Sequence, residues 1–309
     1  NVSGTNLFVG TSGDGIFHST NSGTSWTAVN SGLTNLYVNA FTVSGTNLFA
    51  GTEGNGVYRS TNNGANWSAT GTLSTPYIYA LAVSGTNIFA GADGDGVFRS
   101  TNNGTTWTLV STGITNTRIF ALAAFGTNLY AGTFGGGVFL STNNGTNWTP
   151  INVGLTNTSV NTLLVSDANI FAGTEDGIFL STNNGSSWTS ASFGLTNTFI
   201  HALAISGTNL YAGTEDGVFH STNNGANWTA INSGLTNPTI FALTVYGTNL
   251  FAGSNGNGVW IRPIDIVVPV ELVSFSASTN GNNVSLNWST ATETNNSGFS
   301  IERKQVFSQ

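Results

Sequence analysis

Between residues 77 and 113 four short apolar runs follow one another: YIYALAVSG, TNIFAGADGDG, VFRSTNNGTT and WTLVSTG. They are rich in aromatic and β-branched residues, Gly, Asn and Asp separate them, and none is long enough for a helix. Apolar residues succeed one another within each run instead of alternating, the pattern of strands covered on both faces. The series recurs along the chain. Its marker reads GTNLF at 4–8 and 45–49, GTNIF at 85–89, GTNLY at 126–130, DANIF at 167–171, GTNLY at 207–211 and GTNLF at 247–251, at intervals of 40 or 41 residues. Seven copies of four strands predict an all-β fold, a seven-bladed β-propeller of four-stranded antiparallel blades with a short C-terminal β-segment.

A second marker sits between the third and fourth predicted strands: STNSGTSW at 19–26, STNNGANW at 60–67 and 221–228, STNNGTTW at 100–107, STNNGTNW at 141–148 and STNNGSSW at 181–188. Its asparagines (Asn21, Asn62, Asn102, Asn143, Asn183, Asn223) can hold a turn by bonding their own backbone, and the glycine supplies positive φ. Its tryptophans (Trp26, Trp67, Trp107, Trp148, Trp188, Trp228) are expected to pack beside that turn. The motif reads as local folding chemistry and not as a binding code. It resembles the Asp-box, or BNR, repeat S-x-D-x-G-x-x-W of sialidases, sortilin-type receptors, xyloglucanases and the photosystem II assembly propeller, over about residues 1–262. Here asparagine replaces the family's aspartate each time, keeping an acceptor and losing the charge. The resemblance implies a structural turn on the propeller's outer side, and so a fold and not an activity.

Composition narrows the function. The chain has 309 residues, 40 glycines, no cysteine and no methionine, with 39% hydrophobic and 6% charged residues. Ample apolar content excludes a disordered chain. The absence of methionine reads as a processed mature chain, and the Asn, Thr, Ser and Gly richness as a secreted or bacterial cell-surface one. A net charge of −7 with six Lys and Arg cannot form the basic stripe nucleic acid needs. No apolar run has the length of a transmembrane helix.

Catalysis is not expected. A sialidase-like site needs three convergent arginines, whereas Arg59 and Arg99 are repeat-equivalent, Arg118 opens a first strand, and Arg262 and Arg303 lie at or beyond the propeller's end. A xyloglucanase-like site needs two carboxylates flanking a sugar bond. Asp14, Glu53, Asp93, Asp95, Glu175, Asp176, Glu215 and Asp216 all occupy the same turn between strands two and three, in register, and are read as turn formers. His18 and His220 are repeat-equivalent to Arg59, Arg99, Leu140 and Leu180, an interchange unlike a metal ligand set. His201 is no better placed. No metal and no cofactor are expected.

The repeats differ most at the start of the first strand. Tyr37, Tyr77, Arg118, Ser159, Phe199 and Thr239 align there, followed two residues later by Asn39, Tyr79, Phe120, Asn161, His201 and Phe241. In a propeller this end rims the central channel. Tyr37, Tyr77, Tyr79, Arg118, Phe120, Phe199, His201 and Phe241 are therefore the candidate rim for a glycan or peptide, beside the acidic turns.

After Arg262 the period stops and alternation becomes clean. The sequence divides as a propeller over 1–262, a connector strand over 263–268 and a β-segment over 269–309. The words PVEL…WSTATETNNSGFSIER resemble the opening of the fibronectin-type-III-like segment of bacterial type IX secretion cargo. The first repeat opens at NVSG, where others have a strand such as IYALAVSG, and the seventh has no box. An apolar run with Ile264, Ile266, Val267, Val268, Val270, Leu272 and Phe275 then offers a strand either for closing the chain's own ring or for pairing with another copy, as in donor-strand complementation. The chain thus reads as a non-catalytic, secreted structural or adhesive propeller, a self-associating fibre subunit, with glycan or surface-protein recognition at the rim as the alternative and a glycoside hydrolase as the third.

Overall fold

A computed structural model describes residues 2–264 apart from Asp167, and the strands over 272–280 and 283–290. The chain falls into two units, Asn1–Arg262 and Pro263–Gln309. The first is an all-β propeller of seven antiparallel blades, numbered here in chain order. Blade 3 shows the pattern: strands Ile78–Ser84, Asn87–Ala92, Val97–Ser100 and Thr108–Leu109 pair in sequence order from the channel outward. Blade 1 has an inner strand of only two residues, Val2–Ser3, and blade 7 has three strands, Ile240–Tyr246, Asn249–Ser254 and Gly258–Pro263.

The second strand of a full blade is covered on both faces, as successive apolar residues predict; Phe89 and Ala90 are fully buried. The inner strand departs from that expectation. Ile78–Ser84 alternates buried and half-buried positions, because it is the innermost strand of its sheet and one of its edges has no neighbouring strand. Its fourth and sixth residues, Leu81 and Val83, pack against Phe49 and Val57 of the preceding blade. Phe41 and Val43 do the same against Phe8 and Ile16, and Leu203 and Ile205 against Phe171 and Ile178. The core is thus distributed over the joints between blades, each buried Leu, Ile or Phe contributing about 1.5–3 kcal/mol.

The STNNG turn forms between the third and fourth strands as its residues require. Ser100 Oγ donates to Asn102 Oδ1 (3.0 Å) and accepts from the Gly104 amide (2.9 Å), while Asn102 Oδ1 also accepts from the Thr106 amide (2.9 Å). Asn103 is left-handed at φ 54°, a conformation asparagine tolerates. The tryptophan does more than pack beside this turn. Trp148 Nε1 donates to the Val110 carbonyl of the preceding blade at 2.7 Å, and Trp67, Trp188 and Trp228 do likewise to Val29, Ile151 and Ala191. Trp107 uses the Thr70 hydroxyl. Its backbone joins in: the Trp148 amide donates to the Thr112 carbonyl at 2.8 Å. Gly113 follows that carbonyl at φ 97°, and a Cβ there would sit 2.1 Å from the Trp148 carbonyl oxygen, so the blade junction admits only glycine.

In the second unit Leu272–Asn280 pairs antiparallel with Asn283–Thr290, with Phe275 opposite Trp288. Of the residues expected to join copies, Ile264 is buried, Leu272 and Phe275 lie on this hairpin, and Ile266, Val267, Val268 and Val270 lie outside the described residues. So does the FSIER stretch.

Candidate functional site

The inner strands open with a β-bulge, and the bulge builds the rim. In blade 2 Val38 stands opposite Thr52 and Ala40 opposite Gly51, which leaves Asn39 as the extra residue. The shift recurs between Ile78 and Ala80, Ile119 and Ala121, Val160 and Thr162, Ile200 and Ala202, and Ile240 and Ala242. The extra residues are Asn39, Tyr79, Phe120, Asn161, His201 and Phe241, the second set of divergent positions. A bulged residue is exempt from the ladder and re-aims its side chain. Here it reaches the neighbouring blade: Tyr79 meets Phe120 edge-on at 5.2 Å between ring centroids, His201 meets Phe241 at 4.8 Å, and Asn39 and Asn161 Nδ2 donate to the Ile78 and Ile200 carbonyls.

The first divergent set lies just ahead of the strands, held by the backbone on both sides. The Tyr37 amide donates to Asn35 Oδ1 (2.9 Å) and its carbonyl accepts from the Glu53 amide (3.0 Å). Arg118 is held in the same way by Asn116 and the Phe134 amide, and Thr239 by Asn237 and the Asn255 amide. Ser159 and Phe199 have the equivalent contact to Asn157 and Asn197. In blade 3 Thr75 replaces that asparagine, and the Tyr77 carbonyl still accepts from the Asp93 amide. A clamp common to the repeats therefore presents side chains that differ.

Those side chains form two arcs on the channel mouth. In blades 3 and 4 Phe120 packs between Tyr79 and Phe134, and the Arg118 guanidinium lies 5.5 Å from the Phe120 ring and 4.7 Å from the Phe134 ring. Arg118 Nε also donates to Asp93 Oδ1 at 2.8 Å, the one ion pair among the described residues. Burial, then the charges of Glu53 and Asp93, raise the Tyr79 phenol above its ordinary pKa, so it stays a neutral donor. Tyr77 stands beside this arc at 45% exposure. The second arc is Phe199, His201 and Phe241, with His201 4.8 Å from each partner. Burial lowers the His201 pKa below 6.5 against the opposing pull of Glu215, and its Nε2 is buried without a hydrogen-bond partner. Tyr37, 50% exposed, stands by itself over Gly13 of blade 1.

Other candidates have local duties. Arg59 and Arg99 Nη1 donate to the Asn103 and Asn144 carbonyls of the next blade's box. His18 and His220 stack on Phe8 and Tyr211 and bond Asn6 and Asn209. Asp95 accepts from Ser74, which holds its carboxyl below the ordinary range. No cluster of metal-ligating side chains occurs among the described residues, and no described helix is long and apolar enough to cross a membrane. Two rim elements escaped the sequence reading. Phe134 stands in TFGG where other repeats place an acid, and the clamp asparagines lie in the repeated TN at 34–35, 115–116, 156–157, 196–197 and 236–237.

The family described as the DUF6242 beta propeller domain matches residues 3–118 and again 114–241. No curated protein matches the chain. Among solved structures, the extracellular domain of a hybrid two component system from B. thetaiotaomicron superposes with a TM-score of 0.70 at 18% identity, over 94% of this chain and 42% of that one. A GH74 xyloglucanase from Xanthomonas campestris gives 0.68 at 16% identity, over 92% and 56%. YCF48 bound to D1 peptide gives 0.65 at 14%, over 83% and 89%. This chain therefore spans about two-fifths of the sensor domain's length and just over half of the xyloglucanase's. At such identities these likenesses establish the propeller alone.

Proposed function

The chain belongs to the DUF6242 beta propeller family, and from the construction of its channel mouth we propose that it is a non-catalytic recognition propeller at the exterior of a bacterium, taking a neutral glycan at the rim. The observation that carries this is divergence confined to clamped positions: the repeats keep the backbone of the mouth and change the side chains it presents. Tyr37, Tyr77 and Phe241 offer exposed aromatic faces on which the apolar face of a sugar ring can lie. The carboxylates of Glu53 and Asp93, the amides of Asn39 and Asn161 and the neutral Tyr79 phenol supply partners for hydroxyls. A net charge of −7 disfavours anionic ligands. The extracellular placement of some structural neighbours supports an exterior location, as does the Asn, Ser and Thr richness of the chain.

Screening the purified chain against an array of neutral glycans tests the proposal. A binder is expected, and Tyr77→Ala or Phe120→Ala should weaken it about 10- to 100-fold, the equivalent of roughly 1.4–2.8 kcal/mol, with the fold intact by circular dichroism. A silent array, binding indifferent to both substitutions, or turnover of a polysaccharide would overturn it.

A further inference from the structure

Five connectors between blades are built alike, and one is a residue short. Where the chain leaves the fourth strand, the residue whose amide donates back to the third strand is followed by three residues ending in glycine. They read NSG at 30–32, STG at 111–113, NVG at 152–154, SFG at 192–194 and NSG at 232–234, each followed by Leu or Ile. Between blades 2 and 3 only Gly71 and Thr72 occupy that place, between Thr70 and Leu73.

The missing residue has consequences at the joint. In the full connectors the first residue caps the third strand: Asn30 Oδ1 accepts from the Ile16 amide and Ser111 Oγ from the Val97 amide. The carbonyl of the second (Ser31, Thr112, Val153 or Phe193) accepts from the tryptophan amide of the next blade. The short connector does neither among the described residues. The Gly71 amide donates to the Gly104 carbonyl at 2.8 Å instead, and Trp107 is only half-buried where Trp67, Trp148, Trp188 and Trp228 are 2–4% exposed.

What opens is a cleft of about 310 Å³ between the fourth strand of blade 2 and the box of blade 3, lined by Arg59, Ser68, Thr70, Gly71, Asn103 and Thr105. Its volume is at the lower end of small-molecule sites. Arg59 Nη1 donates to the Asn103 carbonyl at 2.9 Å; among the described residues nothing bonds its Nε or Nη2, and no carboxylate pairs with it. One blade on, behind a full connector, Arg99 makes the same bond to Asn144, but its Nε is buried. The acids of these blades stand in the turn ahead of the third strand, about 10 Å from Arg59 along the chain and near one screening length. The net charge of −7 therefore reaches the cleft largely screened.

We propose that this cleft binds an acidic sugar, a single hexuronate whose carboxylate takes the open guanidinium edge of Arg59. A planar carboxylate matches that edge with two parallel hydrogen bonds. The rest of the lining is hydroxyl, amide and glycine, which suits the hydroxyls of a sugar and not an apolar body. Ser68, Thr105 and Asn103 supply those partners, since the Thr70 hydroxyl already donates to the Val57 carbonyl and accepts from Trp107 Nε1. The cleft lies beside the box and away from the channel mouth, so it stands whether or not the mouth takes a glycan.

The probe is glucuronate, titrated into the full chain and followed by amide NMR shifts. It should move the Gly71, Gly104 and Thr105 amides with a Kd of about 1 mM, the affinity a ligand of this size supports, and glucose should move none of them. Arg59→Gln should weaken binding about 10- to 100-fold, and Arg99→Gln should leave it unchanged. Replacing Gly71 and Thr72 by Ser-Thr-Gly, the sequence at 111–113, restores the missing residue. That graft should abolish binding with Arg59 still in place, and it decides the matter if Arg59→Gln does not fold. No shift at several times the expected Kd, an equal response to glucose, or undiminished binding in the grafted chain or a folded Arg59→Gln chain would overturn the proposal. Acetate or inorganic phosphate binding as tightly as glucuronate would overturn the sugar assignment and leave a plain anion site.

Discussion

The outer edge of the ring and its channel mouth are made by the same repeats under opposite rules. At the outer edge the side chains are constant and the contacts are long-range: each box closes its own turn with Ser and Asn, and the boxes of blades 2 to 6 then reach the preceding blade through their tryptophans. At the mouth the main chain is constant and the side chains vary. An asparagine and a turn amide hold the backbone, and no side-chain contact needs to repeat from blade to blade. The difference separates positions that assemble the ring from positions that are free to meet something outside it.

The comparison breaks most visibly at the tryptophans. Trp148→Ala removes a ring that is 4% exposed and leaves the Val110 carbonyl without its donor, so a loss of about 3–5 kcal/mol is expected in urea unfolding. Trp26→Ala, whose ring is only half-buried, should lose less than half of that; equal losses would show that burial of the ring does not set the cost. The turn gives a smaller effect. Ser100→Ala deprives the buried Gly104 amide of its acceptor, a loss of about 1–3 kcal/mol. Asn102→Asp keeps both accepted bonds and should stay within about 0.5 kcal/mol. A large change there would mean that the charge matters to the turn. The smallest effect belongs to the mouth. His201 is held below pH 6.5 mainly by burial, so the unfolded chain binds its proton first. Stability from this group is complete above about 6.5 and falls as pH drops from there through the folded pKa. His201→Phe should flatten that part of the pH–stability curve; a curve unchanged by the substitution would remove His201 from the account.

The sequence carried the architecture because period, apolar runs and turn residues are all local signals. The seven blades, the box between strands three and four, the acids gathered in one turn and the three-stranded last blade could all be read from spacing. What escaped is relational. Trp148 is recognisable as a box residue, but its acceptor lies 38 residues upstream in another blade. The inner bulge is one residue of register against the next strand, and Asn39 or Phe120 carries no mark of it. Phe134 escaped because the acids of that turn drew notice where a phenylalanine interrupts them.

The bulge has a consequence for how such a molecule changes over generations. Duplicating a 40-residue unit copies a scaffold that already fits its neighbours, but it also copies every side chain, and identical units make a symmetric mouth. Because the bulged residue owes nothing to the ladder, one base change there alters what a single blade shows while leaving the register of all seven intact. Asparagine, tyrosine, phenylalanine and histidine already occupy that place within this one chain. A lineage with this ring can therefore revise its mouth one blade at a time, and the repeated unit acts as an alphabet whose letters are exchanged at one position.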